Sequence, residues 1–411
     1  MPNQLLLEKY ARLAVKTGVN VQPGQIVVLR TTTEAVELSR AVAKEAYKAG
    51  AKRVYFIWTD EKVSRYGYDY AKTEDLAEFP EWNVAQYKYF VEQGACFISI
   101  VSPVPHALAG VDSSKMQTVV STMTKAIQFF REHTMGNKTQ WTIVAASNKA
   151  WAKELFPDLD EAVAEEKLWD AIFKATRVNH ETDPVEVWKE HNANLARQNK
   201  ILNDANFKSL HFTNSLGTDL VVELIQDHVW AGGAEHAGNG ALFNPNIPTE
   251  ESFTMPYKFG TQGKVVATKP LAYQGKIIKD FWLEFKDGRV VDFDAKYEKE
   301  ALQSILDFDY NARSIGEIAL IGHDSPISNM NILFLNTLYD ENASCHMALG
   351  RAYPMNIKNG NDTPIAELEK KGYNNSLVHV DFMFGSADMQ IVGKKQDGTE
   401  VIVFKNGNFA I

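Results

Sequence analysis

The stretch Gln25-Ile26-Val27-Val28-Leu29-Arg30 decides the fold class of the N-terminal half of this chain. It is a short apolar run that stands between two amphipathic helical patterns, at residues 5–17 and 33–48. The turn Pro23-Gly24 separates the run from the first of these helices. A strand that is hydrophobic on both faces, with helices before and after it, is typical of a parallel sheet covered on both sides.

The same alternation continues to a long helix, which Asp183-Pro184 opens and which we predict to end near residue 202. Further apolar strands are predicted at residues 53–58, 95–101 and 141–146, and further helices at residues 82–90 and 116–130. Strands that alternate with helices in this way predict an α/β domain built on a parallel sheet.

Strand and turn signals replace this alternation in the C-terminal half. The dipeptides Asp287-Gly288 and Asn406-Gly407 are typical of hairpin turns. Strands are predicted at residues 209–213, 220–224, 264–269, 275–285, 289–294, 390–393 and 400–405. The length also exceeds that of one ordinary core. We therefore predict an N-terminal α/β domain at residues 1–205 and a β-rich α+β domain at residues 206–411.

Composition and charge argue against several classes of protein. The 411 residues are 45% hydrophobic and 23% charged, and no apolar run reaches about 18 residues, so we expect no membrane-spanning helix. The net charge of −9 repels a phosphate backbone, so we expect no nucleic-acid partner. Cys96 and Cys345 are the only cysteines, and the N-terminal segment lacks the features of a signal peptide. Together these features predict a cytoplasmic protein in a reducing compartment.

Near the C-terminus, the run His379-Val380-Asp381-Phe382-Met383 places a histidine and an aspartate two residues apart among β-prone apolar residues. In a strand, both side chains would lie on one face, with Cα atoms roughly 7 Å apart, so that both could reach one cation. Burying an imidazole and a carboxylate is costly unless a partner such as a metal ion satisfies them. A surface strand with two polar residues on its wet side is the alternative interpretation.

Three upstream segments favour the metal interpretation, because each places acids or a histidine in an apolar or turn-rich stretch. Their candidate ligands are Glu251, Glu317 and His346. Carboxylates together with imidazoles suit zinc, cobalt or manganese better than calcium. With His379 and Asp381 they make five ligands. Five are too many for one tetrahedral zinc with an open position, and they suit two metal ions that share a carboxylate.

Sequence signatures of other enzyme classes are missing from the chain. No G-x-G-x-x-G follows a strand, and the G-x-x-x-x-G-K-[ST], H-E-x-x-H and G-x-S-x-G patterns do not occur. The glycine-rich run at residues 232–240 is either a flexible loop over the site or a broad turn. Cys345 precedes His346, and we expect a buried, unreactive thiol there rather than a metal ligand.

Four motifs together resemble those of the thermophilic-type metalloaminopeptidases, the family of aminopeptidases T and S and aminopeptidase II. The motifs are Asn-x-Pro-Thr-Glu-Glu from Asn246, Ala-Arg-x-x-Gly-Glu from Ala312, Asp-Glu-Asn-x-x-Cys-His from Asp340 with Gly-Arg-x-Tyr from Gly350, and His-x-Asp-Phe-Met from His379. The resemblance covers essentially the whole chain. It implies a homodimeric aminopeptidase that acts on peptides with a free N-terminus and uses two divalent metal ions per chain, whether zinc, cobalt, manganese or magnesium.

The resemblance also implies roles for individual residues. Glu251, or alternatively Glu250, would be the ligand of the first motif, and Glu317 would be the bridging carboxylate. Glu341 would be a further metal ligand or the base that transfers the proton, and Tyr353 would donate a hydrogen bond to the oxyanion. The remaining implied metal ligands are His346, His379 and Asp381. Ser252 departs from the resemblance, because an aliphatic residue is common at that position.

The sequence is also compatible with two other functions. A two-metal hydrolase of another class, a phosphoesterase or an amidase, could use the same carboxylates. Phosphate binding normally adds basic residues, and only Arg313 and Arg351 stand near the candidate ligands in the sequence. A non-enzymatic binding protein with a structural metal would instead have fully closed coordination. Tyr353 could instead be a packing residue, and Glu341 could instead be a solvated acid in a turn.

Overall fold

The computed structural model describes residues 2–273 and 276–411. The chain divides into two compact units. The first comprises the chain up to Glu190 together with Ala234–Ile247, and the second comprises His191–Gly233 and Pro248–Ile411. The domain boundary predicted near residue 205 falls at the end of a helix that runs from Pro184 to Ala205. As a boundary between domains it stays a prediction.

The first unit is built on a parallel sheet, as the sequence predicts. Its strands are β1 (Ile26–Thr32), β2 (Arg53–Thr59), β3 (Cys96–Val101) and β4 (Trp141–Ala145). They lie in the order β2-β1-β3-β4, and every neighbouring pair is parallel. The apolar run on β1 is buried along its length, which explains why it is hydrophobic on both faces.

Helices accompany these strands and recur in the second unit. They are α1 (Gln4–Leu13), α2 (Val36–Lys48), α3 (Glu61–Tyr70), α4 (Thr73–Leu76), α5 (Glu81–Glu92), α6 (Ser113–Ala126), α7 (Gln128–Met135), α8 (Lys149–Leu155), α9 (Glu161–Ala175), α10 (Pro184–Ala205), α11 (Lys299–Leu306), α12 (Pro326–Met330), α13 (Thr337–Asp340) and α14 (Ile365–Lys371). The single helix predicted at residues 116–130 is wrong, because the chain breaks at Ile127 into α6 and α7. The break lets both Ile127 and Phe130 enter the core.

The remaining strands follow the helical first half, and most of them belong to the second unit. They are β5 (Phe207–Thr213), β6 (Asp219–Leu224), β7 (Glu235–His236), β8 (Leu242–Phe243), β9 (Ser252–Thr254), β10 (Pro256–Val266), β11 (Leu271–Tyr273), β12 (Lys276–Lys286), β13 (Arg289–Tyr297), β14 (Ile315–Leu320), β15 (His346–Gly350), β16 (His379–Met383), β17 (Gln390–Lys395), β18 (Glu400–Lys405) and β19 (Asn408–Phe409). The predicted terminal hairpin is β17–β18. The predicted strand at 275–285 is β12, and Gly275 lies outside the described residues.

Antiparallel sheets form the second unit. The larger sheet has the order β11-β12-β10-β6-β5-β17-β18-β19, with β13 beside β12, and the smaller has the order β16-β15-β14-β9. Apolar side chains from both sheets pack in one core, where the rings of Phe281 and Phe382 lie 5.4 Å apart. One face of the smaller sheet is therefore committed to the core, and its opposite face is available for polar residues.

Two smaller features complete the fold. β7 and β8 pair as a hairpin in the first unit and include part of the glycine-rich run, in agreement with the broad-turn interpretation. Asp287-Gly288 and Asn406-Gly407 both adopt positive φ angles, as their hairpin turns require.

Within residues 2–273 and 276–411, no helix is both long enough and apolar enough to cross a membrane.

Candidate metal centre

Strands β14, β15 and β16 present a polar face opposite to the core, because alternate residues of a strand point to opposite sides of the sheet. On β16, Val380 and Phe382 belong to the core, so His379 and Asp381 lie together on the other face. This is the arrangement that the sequence predicts for the pair. On β15, Met347 lies in the core and His346 faces the polar side.

Strand register brings the ligands of different strands into one row. Glu317 of β14 pairs with Ala348 of β15, and Ala348 pairs with Asp381 of β16. The small Ala348 side chain therefore separates two carboxylates on the polar face. An irregularity between Ile315 and Glu317 shifts the register of β14, so that Ile315 and Ile318 both reach the core while Glu317 faces the site.

Two further acids reach the site from positions outside the strands. Glu251 immediately precedes β9, which pairs with the end of β14 through Ser252 and Leu320. Glu341 opens a short 3₁₀ turn, Glu341–Ala343, which ends just before β15. Both residues lie outside the strands, so the alternation of a strand does not predict from the sequence which way their side chains point.

Two clusters of potential metal ligands share Glu317. In the first, Nε2 of His346 lies 3.3 Å from Oε2 of Glu251 and 3.5 Å from Oε1 of Glu317. In the second, Nε2 of His379 lies 3.3 Å from Oδ1 of Asp381 and 3.6 Å from Oε2 of Glu317. The two oxygens of Glu317 thus face different clusters, as those of a carboxylate shared by two cations would have to.

The hydrogen bonds of His379 indicate what lies between its ring and the carboxylates. Nδ1 of His379 is 2.7 Å from the carbonyl oxygen of Arg351, and a carbonyl only accepts, so Nδ1 donates. Nε2 then faces oxygens of Asp381 and Glu317 that also only accept when ionised. A proton or a metal ion must lie between these atoms. Burial lowers the pKa of His379, but the carboxylates of Asp381 and Glu317 outweigh it and raise that pKa to about 10.

The excess of buried carboxylates in the site also favours the binding of cations. Burial raises the pKa of Glu317 despite a hydrogen bond from His346. Burial, together with the carboxylates of Asp381 and Glu251, raises the pKa of Glu341 well above its usual range. Divalent cations would remove this repulsion, and carboxylate oxygens with imidazole nitrogens are ligands that zinc, cobalt and manganese accept. The residues present therefore fit the metal ions that the sequence predicts.

Tyr353 lies beside the second cluster. Its ring centroid is 4.8 Å from that of His379 and 6.3 Å from that of Phe253. Burial and the surrounding carboxylates, with Glu317 and Asp381 foremost, raise the pKa of the phenol well above its usual value. The hydroxyl consequently keeps its proton at neutral pH and can donate a hydrogen bond.

Of the two adjacent acids, Glu251 rather than Glu250 meets His346. Oε2 of Glu250 instead lies 3.9 Å from Nε2 of His191. The sulfur of Cys345 contacts the backbone nitrogen and oxygen of Ile321, both at 3.4 Å, as expected for a buried structural thiol.

Sequence reasoning missed the residues that hold the ligands in place. The side-chain oxygen of Asn342 accepts a hydrogen bond from the backbone nitrogen of Glu250 at 2.7 Å, and its nitrogen donates to the carbonyl of Leu338 at 3.0 Å. Asn342 lies inside the Asp-Glu-Asn-x-x-Cys-His motif, so its position in the sequence could have identified it as a functional residue. Asn199 on α10 bonds to Ser252, and nothing in the local sequence of that helix indicates this.

Comparison with known proteins identifies a family for almost the whole chain. The family model described as thermophilic metalloprotease (M29) matches residues 3–409. The chain belongs to the thermophilic metalloprotease (M29) family. Aminopeptidase 2 of Geobacillus stearothermophilus is 46% identical over 404 residues, which cover 98% of this chain and 97% of that protein. Aminopeptidase AmpS of Bacillus subtilis (strain 168) is 44% identical over 404 residues, which cover 98% of each chain.

Two solved structures share the fold of this chain. Wild-type AmpT from Thermus thermophilus matches with a TM-score of 0.93 and 36% identity, over 99% of this chain and 100% of that chain. A 2,5-dihydroxypyridine dioxygenase from Pseudomonas putida KT2440 matches with a TM-score of 0.53 and 13% identity, over 99% and 98% of the two chains, and shows a shared fold only. The predicted fold class and the predicted family of metal-dependent aminopeptidases are thus confirmed.

Proposed function

We propose that this member of the M29 family is an aminopeptidase that releases N-terminal residues from peptides, with two divalent cations per chain held at the shared carboxylate of Glu317. Relatives named as aminopeptidases cover 98% of the chain, which supports the reaction class. The observation that carries the two-cation proposal is the position of Glu317, whose two oxygens face different histidines.

Each cluster would hold one cation. Glu251 and His346 would bind the first, and His379 and Asp381 would bind the second, with Glu317 bound to both. Such cations supply Lewis acidity, which polarises a peptide carbonyl and acidifies a water molecule. Zinc, cobalt and manganese suit these nitrogen and oxygen ligands, and magnesium is the further possibility that the family resemblance implies.

Proton transfer would fall to Glu341. Its carboxyl lies close enough to Asp381 and Glu251 for their charges to raise its pKa, and it belongs to neither of the two ligand clusters. We propose that Glu341 takes a proton from the attacking water and passes it to the leaving amine, the role of a general base and then a general acid. A role as an additional ligand is the alternative for this residue.

Tyr353 would stabilise the developing oxyanion. Its hydroxyl is protonated at neutral pH, and its ring is fixed against His379 and Phe253. A donor that is already oriented toward the place where negative charge develops lowers the barrier without reorganisation during the reaction. A free α-amine in its neutral form could serve as a ligand to one of the cations, which would explain a preference for free N-termini.

Substrate assays test this reaction class directly. The protein, supplied with single divalent metals, should release free N-terminal residues from short peptides and should leave N-acetylated copies of the same peptides intact. Nitrophenyl phosphate serves as the control for the alternative two-metal hydrolase. Equal rates on free and acetylated peptides, or turnover of the phosphate ester alone, would reject the proposal.

We also propose that the enzyme is a cytoplasmic homodimer. The family resemblance and the frequency of two-fold dimers among soluble oligomers support the dimer. The cysteine content supports a reducing compartment, since both thiols are buried and unpaired. Light scattering at micromolar concentration tests the dimer, and a monomer mass would contradict it.

A further inference from the structure

A polar contact from helix α10 holds the backbone on which Glu251 stands. The side-chain oxygen of Asn199 accepts a hydrogen bond from the hydroxyl of Ser252 at 2.5 Å, and its nitrogen donates to the carbonyl of Gly232 at 3.0 Å. Gln198 donates to the same Ser252 hydroxyl at 3.1 Å. Ser252 is fully buried, so each of its hydrogen bonds is formed away from water.

The segment that contains Gly232 lies directly against the Glu251 backbone. Ala231 and Phe253 exchange two backbone hydrogen bonds, of 3.0 Å and 2.9 Å. Gly232 has a φ angle of +139°, and a Cβ atom on it would stand 2.1 Å from the carbonyl oxygen of Glu251. Asn199 therefore joins two backbone segments that are already in contact, and Glu251 adjoins both attachment points, since it precedes Ser252 and its carbonyl lies against Gly232.

We infer that the Asn199–Ser252 hydrogen bond is a positioning contact for one metal ion of the pair, namely the ion held by Glu251 and His346. The inference rests on the two-cation proposal above. Asn199 touches the residue next to Glu251, whereas the second cluster is oriented by other means. His379 is fixed by the carbonyl of Arg351, and Asp381 by its place in β16. Loss of the contact should weaken the first site and spare the second.

The same helix offers a matched control. Asn203 stands one turn further along α10 and also makes two side-chain hydrogen bonds, both to the backbone of Trp230: its nitrogen donates to the carbonyl at 3.0 Å, and its oxygen accepts from the backbone nitrogen at 2.8 Å. Removal of Asn203 costs a comparable set of contacts in the same unit, and these contacts do not include the Glu251 segment.

The experiment compares the parent protein with the Asn199→Ala and Asn203→Ala variants. Each protein is stripped of metal and titrated with Zn²⁺ against a chromophoric chelator, and its fold is checked by circular dichroism. We expect two ions per chain for the parent and for Asn203→Ala. For Asn199→Ala we expect one ion with parental affinity and a second bound about 10–100-fold more weakly, with activity restored by excess metal.

Several results would overturn the inference. Parental binding of both ions by Asn199→Ala, or equal weakening in both variants, would show that Asn199 has only a structural role. If Asn199→Ala fails to fold, Ser252→Ala removes the same bond from the other side, and the same titration decides. A parent that binds only one ion would reject the two-cation proposal itself, and the inference with it.

Discussion

Nε2 of His379 lies 3.3 Å from Oδ1 of Asp381, and the two side chains leave the same face of one short strand. Neither atom has a proton to offer the other while the imidazole is neutral and its Nδ1 donates to the carbonyl of Arg351. The pair must therefore share a proton or a metal ion, and replacement of either side chain tests for the metal.

Replacement of either member of this pair should lower the metal content and abolish activity. For His379→Ala and Asp381→Ala, we expect undetectable peptide cleavage and a fall in bound metal from two ions per chain toward one. Atomic absorption on the dialysed proteins measures the metal, and a peptide assay measures the activity. Unchanged stoichiometry in both variants would show that the ligand assignment is wrong.

Tyr353→Phe should separate catalysis from metal binding. Loss of one hydrogen bond to an oxyanion typically lowers turnover about 10²–10³-fold, and kcat and kcat/KM should fall together. The ring that packs on His379 is retained, so the metal content should match that of the parent. Turnover within about threefold of the parent would make Tyr353 a packing residue, whereas loss of metal would make it a structural support of the site.

Ala348 should be intolerant of a larger side chain, although it binds nothing itself. It stands between Glu317 and Asp381 in the strand register, on the face that carries the ligands. Ala348→Leu would place three further carbon atoms among the carboxylates, so we expect both metal ions and activity to be lost. Ala348→Gly is the matched control and should keep both ions, at a cost of about 1 kcal/mol in stability. Normal metal content in Ala348→Leu would contradict the described register.

Both thiols should be inert in the folded protein. Burial raises the pKa of Cys96 to about 12 and that of Cys345 to about 11, and both side chains are closed to solvent. A chromogenic disulfide reagent at neutral pH should therefore titrate no thiol in the native protein and two in guanidinium. Rapid reaction of a native thiol would show that at least one of Cys96 and Cys345 is open to solvent.

The parts of the site that follow a strand period could be predicted from the sequence, and the others could not. His379 and Asp381 stand at alternate positions of an apolar strand, so their common face was predictable, and so was the parallel sheet around β1. Glu251 and Glu341 lie in irregular segments, where the direction of a side chain depends on tertiary contacts. The turn-rich stretch around Glu251 made it a candidate ligand, only the family resemblance indicated Glu341, and the adjacent Glu250 stayed an open alternative.

The supporting residues were harder still to predict. Asn199 lies on a long helix whose pattern gives no sign of a buried amide, and its partner Ser252 is more than fifty positions away. Such contacts between distant segments have no local signature. The break at Ile127 was missed for a similar reason, because burial of Ile127 and Phe130 overrides a sequence that suits one continuous helix.

The central claim is that two cations act together at Glu317, and one titration tests it most directly. The protein is stripped of metal by exhaustive chelation and then titrated with Zn²⁺ or Co²⁺ while the release of an N-terminal amino acid is followed. We predict no activity in the stripped protein and full activity only as the second equivalent per chain is bound. Full activity after exhaustive chelation, or a plateau at one equivalent with no further binding, would contradict the account.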